Sequence, residues 1–598
     1  MLKLDSLLSK GVSDACLELF GSRPNDNQIS IQSTRSEFQG ERTVVVFPFT
    51  RLAGKSPEAT GEAIGTYLVE NQDIVTSFGV VKGFLNLSIS DKYWTSALSA
   101  AIRDKNCFGF QPACSKPQVM VEYSSPNTNK PLHLGHLRNI FLGHSVSNIL
   151  KAAGHDVVKV QIINDRGIHI CKSMIAWTLF GNGETPSSTG EKGDKLVGRY
   201  YVAFDKQYKI EIAELLASGQ DQKSAEAEAP ILLAARKLLH KWEAEDEGVR
   251  ELWSTMNGWV YEGFEFTYNE MGVNFDKLYY ESDTYLIGKD QAEKGIASGA
   301  FTKREDGSVW IDLTDVGLDE KLILRKDGTA VYMTQDIGTA ILRFEDYPEL
   351  DRQIYTVGNE QEYHFKVLFQ ILAKLGFSQA SRCHHLSYGM VELPEGKMKS
   401  REGTVVDADD LMAEMKTTAE QLARDAGKLD NIPEQDRDAL YKEVGYGALK
   451  YFLLKVDPKK SMMFDPKGSI DFIGNTGPFI QFNYVRARSV LRKADITDVN
   501  TLTPISTVAL DDVERALLMT ALSLPGVIEE AARTYDPSLI ANLCYDITKS
   551  YSSWYQNHHV IKEENTDLRN ARLGICALCS SSVKIGMGLL GVTMPERM

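Results

Sequence analysis

The 598-residue sequence contains few cysteines and no long hydrophobic run. Eight cysteines do not make a disulfide framework in a chain of this size. The one C-x-x-C pair, Cys576 and Cys579, has no second pair or histidine at zinc spacing, so no protein-bound zinc is expected. The N-terminus lacks the basic start and apolar stretch of a signal peptide, and no run is long enough to span a bilayer. These absences predict a reducing, cytoplasmic location and no membrane partner.

The charge balance is acidic, with 66 basic and 81 acidic residues and a net charge of −15. This balance argues against indiscriminate binding of nucleic acid, although a large protein can still gather a local basic face. One basic cluster, interleaved with aromatic residues, consists of Lys450, Lys455, Lys459, Lys460 and Lys467. A solvated face on an amphipathic segment explains this cluster as well as RNA contact does.

A βαβ unit is readable between residues 118 and 163. Residues 118–123 read as a strand, an amphipathic helix then extends to Gly154, and residues 157–163 read as the next buried strand. The helix opens with His133-Leu134-Gly135-His136. A helix N-terminus after a parallel strand attracts anions, and Gly135 has no Cβ to keep a flat ring off the backbone. Simple helix capping explains two histidines here equally well, so the signature alone does not decide between capping and nucleotide binding.

A second signature, Lys397-Met398-Lys399-Ser400-Arg401, follows a segment rich in Gly and Pro and precedes a predicted helix at residues 409–415. A cationic loop suits a triphosphate whose charge moves to pyrophosphate during reaction. Taken alone, such a loop is usually solvated surface. Together, the two signatures predict chemistry at the α-phosphate of a nucleotide.

Three segments resemble the class I aminoacyl-tRNA synthetases, and specifically the arginyl-tRNA synthetases. They are the run from Val121 to Arg138, the segment from 389 to 405, and the tail from Leu589 to Met598. With intermediate landmarks, the resemblance covers essentially the whole chain, and the long first motif is its most specific part. It implies a ligase that converts L-arginine and ATP to arginyl-adenylate and transfers the arginyl group to tRNA(Arg). Mg²⁺ would accompany ATP.

The implied fold is α/β, with a Rossmann-like class I catalytic domain between two appended domains. An α+β domain at residues 1–112 would contact the D-loop corner of tRNA. The catalytic domain would span 113–474, with a helical insertion at about 186–274 and a stem region at about 405–474. A break at 183–195, rich in Gly, Ser and Thr, marks the region where the insertion begins. From about 475 to 598 strand signals nearly vanish, which predicts an all-helical anticodon-binding domain.

Arginine carries a planar, permanently charged guanidinium, so a selective pocket needs carboxylates. Tyr332 and Asp336 stand four residues apart and would share one face of a helix. The resemblance implies that these two residues hold the guanidinium, that Glu122 and Asn127 grip the amino-acid part, and that Gln361 closes the pocket.

For ATP, the resemblance implies that His133 and His136 contact the phosphates and that Gly135 lies under the adenine. It assigns the β- and γ-phosphates to the basic loop, which comprises Lys397, Met398, Lys399, Ser400 and Arg401. This loop departs from the common Lys-Met-Ser-Lys-Ser order, because Ser400 occupies the second lysine position. Lys130 stands where a substituting lysine is found in arginyl enzymes that lack that residue. The predicted catalytic set is therefore Lys130, His133, His136 and Lys397, with Lys130 the preferred replacement.

Two other functions are compatible with parts of this sequence. A small nucleotidyltransferase also uses a His-x-Gly-His, but the length and the helical C-terminal region argue against it. A non-catalytic RNA-binding paralogue would be expected to lose the histidines or the pocket carboxylates, yet His133, His136, Glu122 and Asp336 are present. A monomer is expected.

Overall fold

A computed structural model describes residues 3–35, 37–104, 107–392, 406–425 and 432–598. The predicted basic loop from Lys397 to Arg401 lies outside the described residues.

The N-terminal region combines helices with a four-stranded antiparallel sheet of order β1-β2-β4-β3. Its elements are α1 (Lys3–Phe20), β1 (Ile31–Ser33), β2 (Arg42–Val45), α2 (Thr50–Ala53), α3 (Pro57–Asn71), β3 (Val75–Val81), β4 (Phe84–Ile89) and α4 (Asp91–Arg103). Strands β3 and β4 form an antiparallel hairpin. Lys82 and Gly83 both have positive φ, which suits a two-residue turn between antiparallel strands.

The central region contains a five-stranded parallel sheet of order β12-β11-β5-β6-β7. Its strands are β5 (Lys116–Glu122), β6 (His155–Ile163), β7 (Lys277–Tyr280), β11 (Leu350–Gly358) and β12 (Cys383–Tyr388). Helices α5 (Leu134–Ala152), α12 (Glu281–Ala297), α13 (Tyr332–Asp346) and α14 (Glu362–Lys374) connect or cover these strands. A small antiparallel sheet contains β8 (Thr302–Lys303), β9 (Val309–Ile311) and β10 (Lys321–Leu324). The predicted βαβ unit and Rossmann-like fold are confirmed.

A helical insertion separates β6 from β7. It contains α6 (Ile168–Phe180), α7 (Pro186–Thr189), α8 (Gly193–Ala217), α9 (Gln222–Glu228), α10 (Pro230–Glu243) and α11 (Glu247–Met271). The predicted break at 183–195 is shorter than expected, because α7 and the start of α8 fall within it. Asp165, just beyond β6, anchors the insertion: its carbonyl accepts from Trp253 Nε1 at 2.6 Å, and its carboxylate accepts from Tyr261 and Ser282.

The remaining described elements are helical apart from two short strands, β13 (Val391–Glu392) and β14 (Met462–Met463), which pair with each other. The helices are α15 (Ala408–Asp425), α16 (Glu434–Leu454), α17 (Pro466–Ser469), α18 (Gly477–Lys493), α19 (Asp512–Ala521), α20 (Leu524–Thr534), α21 (Ser538–Asn557) and α22 (Thr566–Leu589). Cys576 and Cys579 are buried thiols within α22. Across the described ranges, no helix is both long and apolar enough to cross a membrane.

The predicted basic cluster around residues 450–467 does not form one exposed face. Lys450 Nζ donates to the carbonyls of Met271 and Gly591, at 2.7 Å each. Lys455 Nζ donates to the carbonyl of Asn475 at 2.8 Å. Burial lowers the pKa of Lys450 to about 8. These two lysines therefore join segments of the protein, whereas Lys459, Lys460 and Lys467 are exposed.

Candidate active site

The crevice between β5 and β11 lies at the point where the strand order of the parallel sheet reverses. Strands β6 and β7 lie on one side of β5, and β11 and β12 lie on the other. Such switch points bind ligands at the carboxyl ends of the strands. Glu122, the last residue of β5, pairs in register with Tyr355 of β11. One of the predicted arginine-binding residues therefore stands at the mouth of this crevice.

The loop after β5 is held in an unusual conformation. Ser124 and Ser125 both have positive φ, at 78° and 42°, which few non-glycine residues adopt. The backbone N–H of Ser124 donates to Asn139 Oδ1 at 2.5 Å, and Asn139 in turn donates to the Thr356 carbonyl of β11 at 2.6 Å. One side chain of α5 thus ties the loop to both strands of the crevice. Strained loops held in this way cluster at functional sites.

The two signature histidines cap α5. His133 precedes the first helical turn in an extended conformation, and its Nδ1 accepts from the Gly135 N–H at 3.2 Å. The His133 N–H donates to His136 Nδ1 at 3.1 Å, and the two ring centroids are 3.9 Å apart. The two histidines therefore cap the helix, and the same arrangement is compatible with nucleotide binding. Each histidine keeps Nε2 for another partner while Nδ1 supports the helix.

Both histidines are held in the neutral form. Burial, and secondarily the charge of Lys130, lowers the pKa of His133 to about 3. Burial, His133 and Lys130 together lower the pKa of His136 well below its usual value. At neutral pH the rings are hydrogen-bonding groups, and Lys130 is the nearby source of positive charge.

Lys130 lies against helix α8 of the insertion. A Cβ on Gly198 would come within 2.7 Å of Pro131 Cδ and 3.4 Å of Lys130 Cα. Only glycine allows this approach without displacing the loop. The insertion therefore supports the loop that carries the lysine and the first histidine.

The segment after the basic loop pairs directly with the histidine signature. Asp407 forms an antiparallel bridge with His133. The Leu134 N–H donates to the Val406 carbonyl at 3.2 Å, and the Ala408 N–H donates to the Leu132 carbonyl at 2.9 Å. The backbone thus brings the exit of the basic loop to the start of α5, as expected if both signatures serve one site.

The predicted guanidinium-binding residues lie at the start of α13. Tyr332 is its first residue and Asp336 follows one turn later, as the spacing predicted. The Tyr332 side chain is 69% exposed, and Asp336 Oδ2 lies 2.6 Å from His364 Nε2 of α14. Sequence reasoning missed His364, which lies in the first turn of α14.

Sequence reasoning also missed a second carboxylate near Asp336. Glu281, directly after β7, is 7% exposed. Burial raises its pKa to about 7; Arg166 opposes the rise, and Asp165 and Asp336 add to it. The signal available in the sequence was its place after a strand, since the carboxyl ends of parallel strands share one edge. Two acids at this end suit a cationic ligand.

Glu122 contacts a residue of the chain itself. Its Oε2 forms an ion pair with Nη1 of Arg343, and its Oε1 accepts from Ser125 Oγ at 3.0 Å. Arg343, on α13, was not predicted, because no local pattern marks a partner 221 residues away. The remaining predicted residues are at the surface of the crevice: Asn127 is exposed and bridges to Asn164 beyond β6, and Gln361 is exposed just before α14.

Two family models match the chain. One, described as tRNA synthetases class I (R), catalytic domain, matches residues 97–465. The other, described as DALR anticodon binding domain, matches residues 480–598.

Relatives of similar length match over the whole sequence. A protein of Bacteroides thetaiotaomicron named arginine–tRNA ligase is 52% identical over 598 residues, covering 100% of both chains. One from Porphyromonas gingivalis with the same name is 53% identical over 593 residues, covering 99% of both. The solved Thermus thermophilus arginyl-tRNA synthetase shares the fold, with a TM-score of 0.76, 24% identity and full coverage of both chains. The chain belongs to the class I arginyl-tRNA synthetases.

Proposed function

We propose that this chain uses ATP to activate L-arginine and then transfers the arginyl group to the 3′-terminal adenosine of tRNA(Arg), releasing AMP and diphosphate. One observation carries the proposal. The N-terminus of α5, with its two histidines, and the start of α13, with Tyr332 and Asp336, both belong to the strand–helix connections of the parallel sheet, which supports binding of a phosphate and a guanidinium in one crevice. Family membership supports the same activity.

On the ATP side, the neutral rings of His133 and His136 would donate hydrogen bonds to phosphate oxygens, next to the positive end of α5. Gly135 would lie under the adenine. Lys130 would supply charge at the phosphates, and the basic loop from Lys397 to Arg401 would hold the β- and γ-phosphates.

On the arginine side, Asp336 and Tyr332 would bind the guanidinium, and Glu281, whose pKa burial raises to about 7, would be a second carboxyl group nearby. Glu122 and Asn127 would bind the amino-acid end, and Gln361 would close the pocket. Carboxylates in a crevice with little water bind a guanidinium in preference to neutral side chains.

The reaction would proceed in two transfers. An oxygen of the arginine carboxylate forms a bond to the α-phosphorus of ATP, and the bond from that phosphorus to the leaving pyrophosphate oxygen breaks in line. A hydroxyl of the terminal adenosine, normally the 2′-OH for this class, then attacks the carbonyl carbon and releases its proton to water, and AMP leaves with the bonding electron pair. The protein contributes positioning and charge stabilisation rather than covalent chemistry.

Mg²⁺ would enter as part of the nucleotide substrate. The described residues assigned to ATP carry imidazole and ammonium groups, which do not suit a hard cation that prefers oxygen ligands. The phosphates and water would therefore hold the ion, and its contribution would be to neutralise phosphate charge.

The C-terminal helices offer a surface for tRNA. A cleft of about 560 Å³ is lined by Phe482, Arg486, Arg492, Lys493 and Tyr555, among others. The Arg486 guanidinium lies 4.9 Å from the Phe482 ring and 5.8 Å from the Tyr555 ring. Aromatic and cationic side chains together favour unstacked bases and their phosphates.

We also propose that the enzyme is a monomer that works in the cytoplasm, where its three substrates are found. Light scattering after gel filtration should give a mass near 66.7 kDa. A doubled mass would exclude the monomer without affecting the activity.

The decisive experiment measures charging of deacylated total tRNA by the purified chain with ATP and each of the twenty amino acids. Esterification of tRNA by arginine alone is expected. The matched control is His136→Asn, which removes a proposed phosphate ligand and should lower the rate strongly. Charging with a different amino acid, or no charging at all, would contradict the proposal.

A further inference from the structure

Arg343 occupies an unusual position beneath the crevice. Its side chain is 0% exposed, and Glu122, at 6%, is the acid it pairs with. The guanidinium carbon lies 5.0 Å from the Tyr279 ring and 5.7 Å from the Tyr355 ring. Among the described residues, Nε and Nη2 of Arg343 have no hydrogen-bond partner. A fully buried guanidinium therefore makes one ion pair and leaves other donors unpaired.

Stability does not explain such an arrangement. Moving a cation out of water is costly, and leaving donors without acceptors adds to that cost. Well-packed apolar side chains of similar volume often replace buried ion pairs without loss of stability. The pair is better explained by what it does to the Glu122 carboxylate at the mouth of the site.

Arg343 and Ser125 hold the two oxygens of Glu122 separately. Arg343 Nη1 donates to Oε2 from one side. Ser125 Oγ, in the strained loop, donates to Oε1 at 3.0 Å. With both oxygens engaged, the carboxylate has one orientation at the end of β5. An acceptor fixed in this way binds an ammonium group without first losing rotational freedom.

Helix α13 carries both Arg343 and the residues assigned to the other end of the substrate. Asp336 and Arg343 are seven residues apart, which is two helical turns and places them on the same side of α13. Their separation along the axis is roughly 10 Å. One rigid helix thus relates the guanidinium end of the pocket to the amino-acid end.

We propose that Arg343 is a positioning residue for arginine recognition: it fixes the Glu122 carboxylate, so that α13 sets the distance between the two ends of the substrate site. The inference rests on the proposed function, because it gives Glu122 a role toward the amino-acid part of arginine. Arg343 itself does not touch the substrate.

The test compares Arg343→Met and Arg343→Lys with the intact enzyme in tRNA charging. Methionine keeps much of the volume and removes the cation, whereas lysine keeps the cation and loses the planar fork. Arg343→Met should raise KM for arginine by at least about tenfold and leave KM for ATP within roughly threefold. Arg343→Lys should raise KM for arginine less than Arg343→Met does.

A matched control is Arg572→Met in the C-terminal helices. Arg572 pairs with Glu514 at 2.8 Å, and the two side chains are 12% and 1% exposed, so the variant breaks another buried Arg–Glu pair far from the crevice. Thermal unfolding of all variants separates lost stability from lost recognition. Arg572→Met should lower the melting temperature and leave KM for arginine unchanged.

The outcomes are distinguishable. If Arg343→Met charges tRNA with the arginine KM of the intact enzyme, or raises KM for ATP equally, the positioning role is excluded while the synthetase activity stands. If the intact enzyme neither binds arginine in calorimetry nor charges tRNA with it, the proposed function fails and the inference fails with it. A selective rise in arginine KM, partly reversed by lysine, supports the inference.

Discussion

At the scale of single residues, the roles proposed for Lys130 and for the two signature histidines differ because the histidines are neutral. The pKa of His133 is lowered to about 3 and that of His136 falls well below its usual value. Neutral imidazoles stabilise a phosphate by directed hydrogen bonds and contribute little net charge. The positive charge that stabilises the departing pyrophosphate would then come from lysine or arginine side chains.

Asp336 is the residue whose loss should separate arginine use from ATP use. Asp336→Asn removes the charge proposed to face the guanidinium, and removing one partner of a buried charge pair costs about 3–5 kcal/mol. Because Asp336 is partly exposed, the lower part of that range is expected, or roughly a hundredfold rise in KM for arginine with KM for ATP little changed. Steady-state charging at varied arginine and then at varied ATP measures both values.

The control for Asp336→Asn is Asp315→Asn. Asp315 pairs with Lys374 at 2.6 Å and is 64% exposed, so its loss should not alter either KM. Unchanged arginine kinetics in Asp336→Asn would remove this residue from the pocket.

The displaced lysine of the basic loop leads to a second prediction. If Lys130 supplies the missing cation, Lys130→Ala should lower the rate of ATP–pyrophosphate exchange by several orders of magnitude, since it acts on charge in the transition state. Lys399→Ala should have a milder effect. Exchange rates at saturating substrates measure the ranking, and the reverse order would assign the work to the basic loop.

Local sequence signals predicted the local structure around single residues where the pattern is short. The histidines and the cap they form lie within four consecutive residues, and Tyr332 and Asp336 lie within one helical turn. Partners brought together by the sheet carried no such signal, because burial and pairing across 221 residues are properties of the fold. Arg343 was missed for this reason.

At the scale of elements, a group of ion pairs joins α8 of the insertion to the start of α15. Lys195 Nζ lies 2.7 Å from Asp410 Oδ1 and 3.3 Å from Asp407 Oδ1. Asp407 Oδ1 also accepts from the N–H groups of Asp409 and Asp410, which caps α15. Because Asp407 bridges to His133, the insertion helps to position the start of α5.

Reversing the charge of Lys195 should therefore disturb ATP use from outside the pocket. Lys195→Glu places a fourth acid beside Asp407, Asp409 and Asp410, and like charges repel. A several-fold rise in KM for ATP is expected, and adding Asp410→Lys should restore part of it, as a double-mutant cycle would show.

Lys209→Glu on the same helix is the matched control, since Lys209 pairs with Asp205 four residues earlier on α8. It should leave KM for ATP unchanged. An equal effect of Lys195→Glu and Lys209→Glu would mean that the charge of α8 as a whole, and not this contact, matters.

Elements were predicted best where capping and periodicity agree. Helix α5 begins and ends close to the predicted residues because His133 caps it and Gly154, with positive φ, follows its end. The predicted break at 183–195 overlaps the start of α8, since Gly193 is typical of a helix breaker in sequence. In the structure Gly193 lies at the first turn of α8, where a Cβ would come within 2.1 Å of the Trp259 carbonyl oxygen.

At the scale of the whole molecule, the C-terminal tail contacts the helix that carries the histidine signature. Ser145 Oγ of α5 donates to the Leu589 carbonyl at 3.0 Å. Lys450 joins the Gly591 carbonyl to the Met271 carbonyl at the end of α11. The C-terminal tail is therefore in direct contact with α5, and Lys450 of α16 joins it to the end of α11.

Such contacts affect activity only if tRNA binds the active conformation more tightly than the resting one. Arginyl enzymes, as the resemblance implies, generally need tRNA before they activate their amino acid. Deleting residues 475–598 would not test this cleanly, because α22 is largely buried and its removal would expose the core.

We therefore predict that arginine-dependent ATP–pyrophosphate exchange is negligible without tRNA(Arg) and appears when it is added. Arg486→Ala combined with Tyr555→Ala weakens the C-terminal cleft, so the tRNA concentration that gives half-maximal exchange should rise at least about tenfold, while KM for arginine at saturating tRNA stays constant. A tRNA for another amino acid is the control and should not activate. Robust exchange by the intact enzyme without RNA would refute this dependence and leave the ligase activity in place.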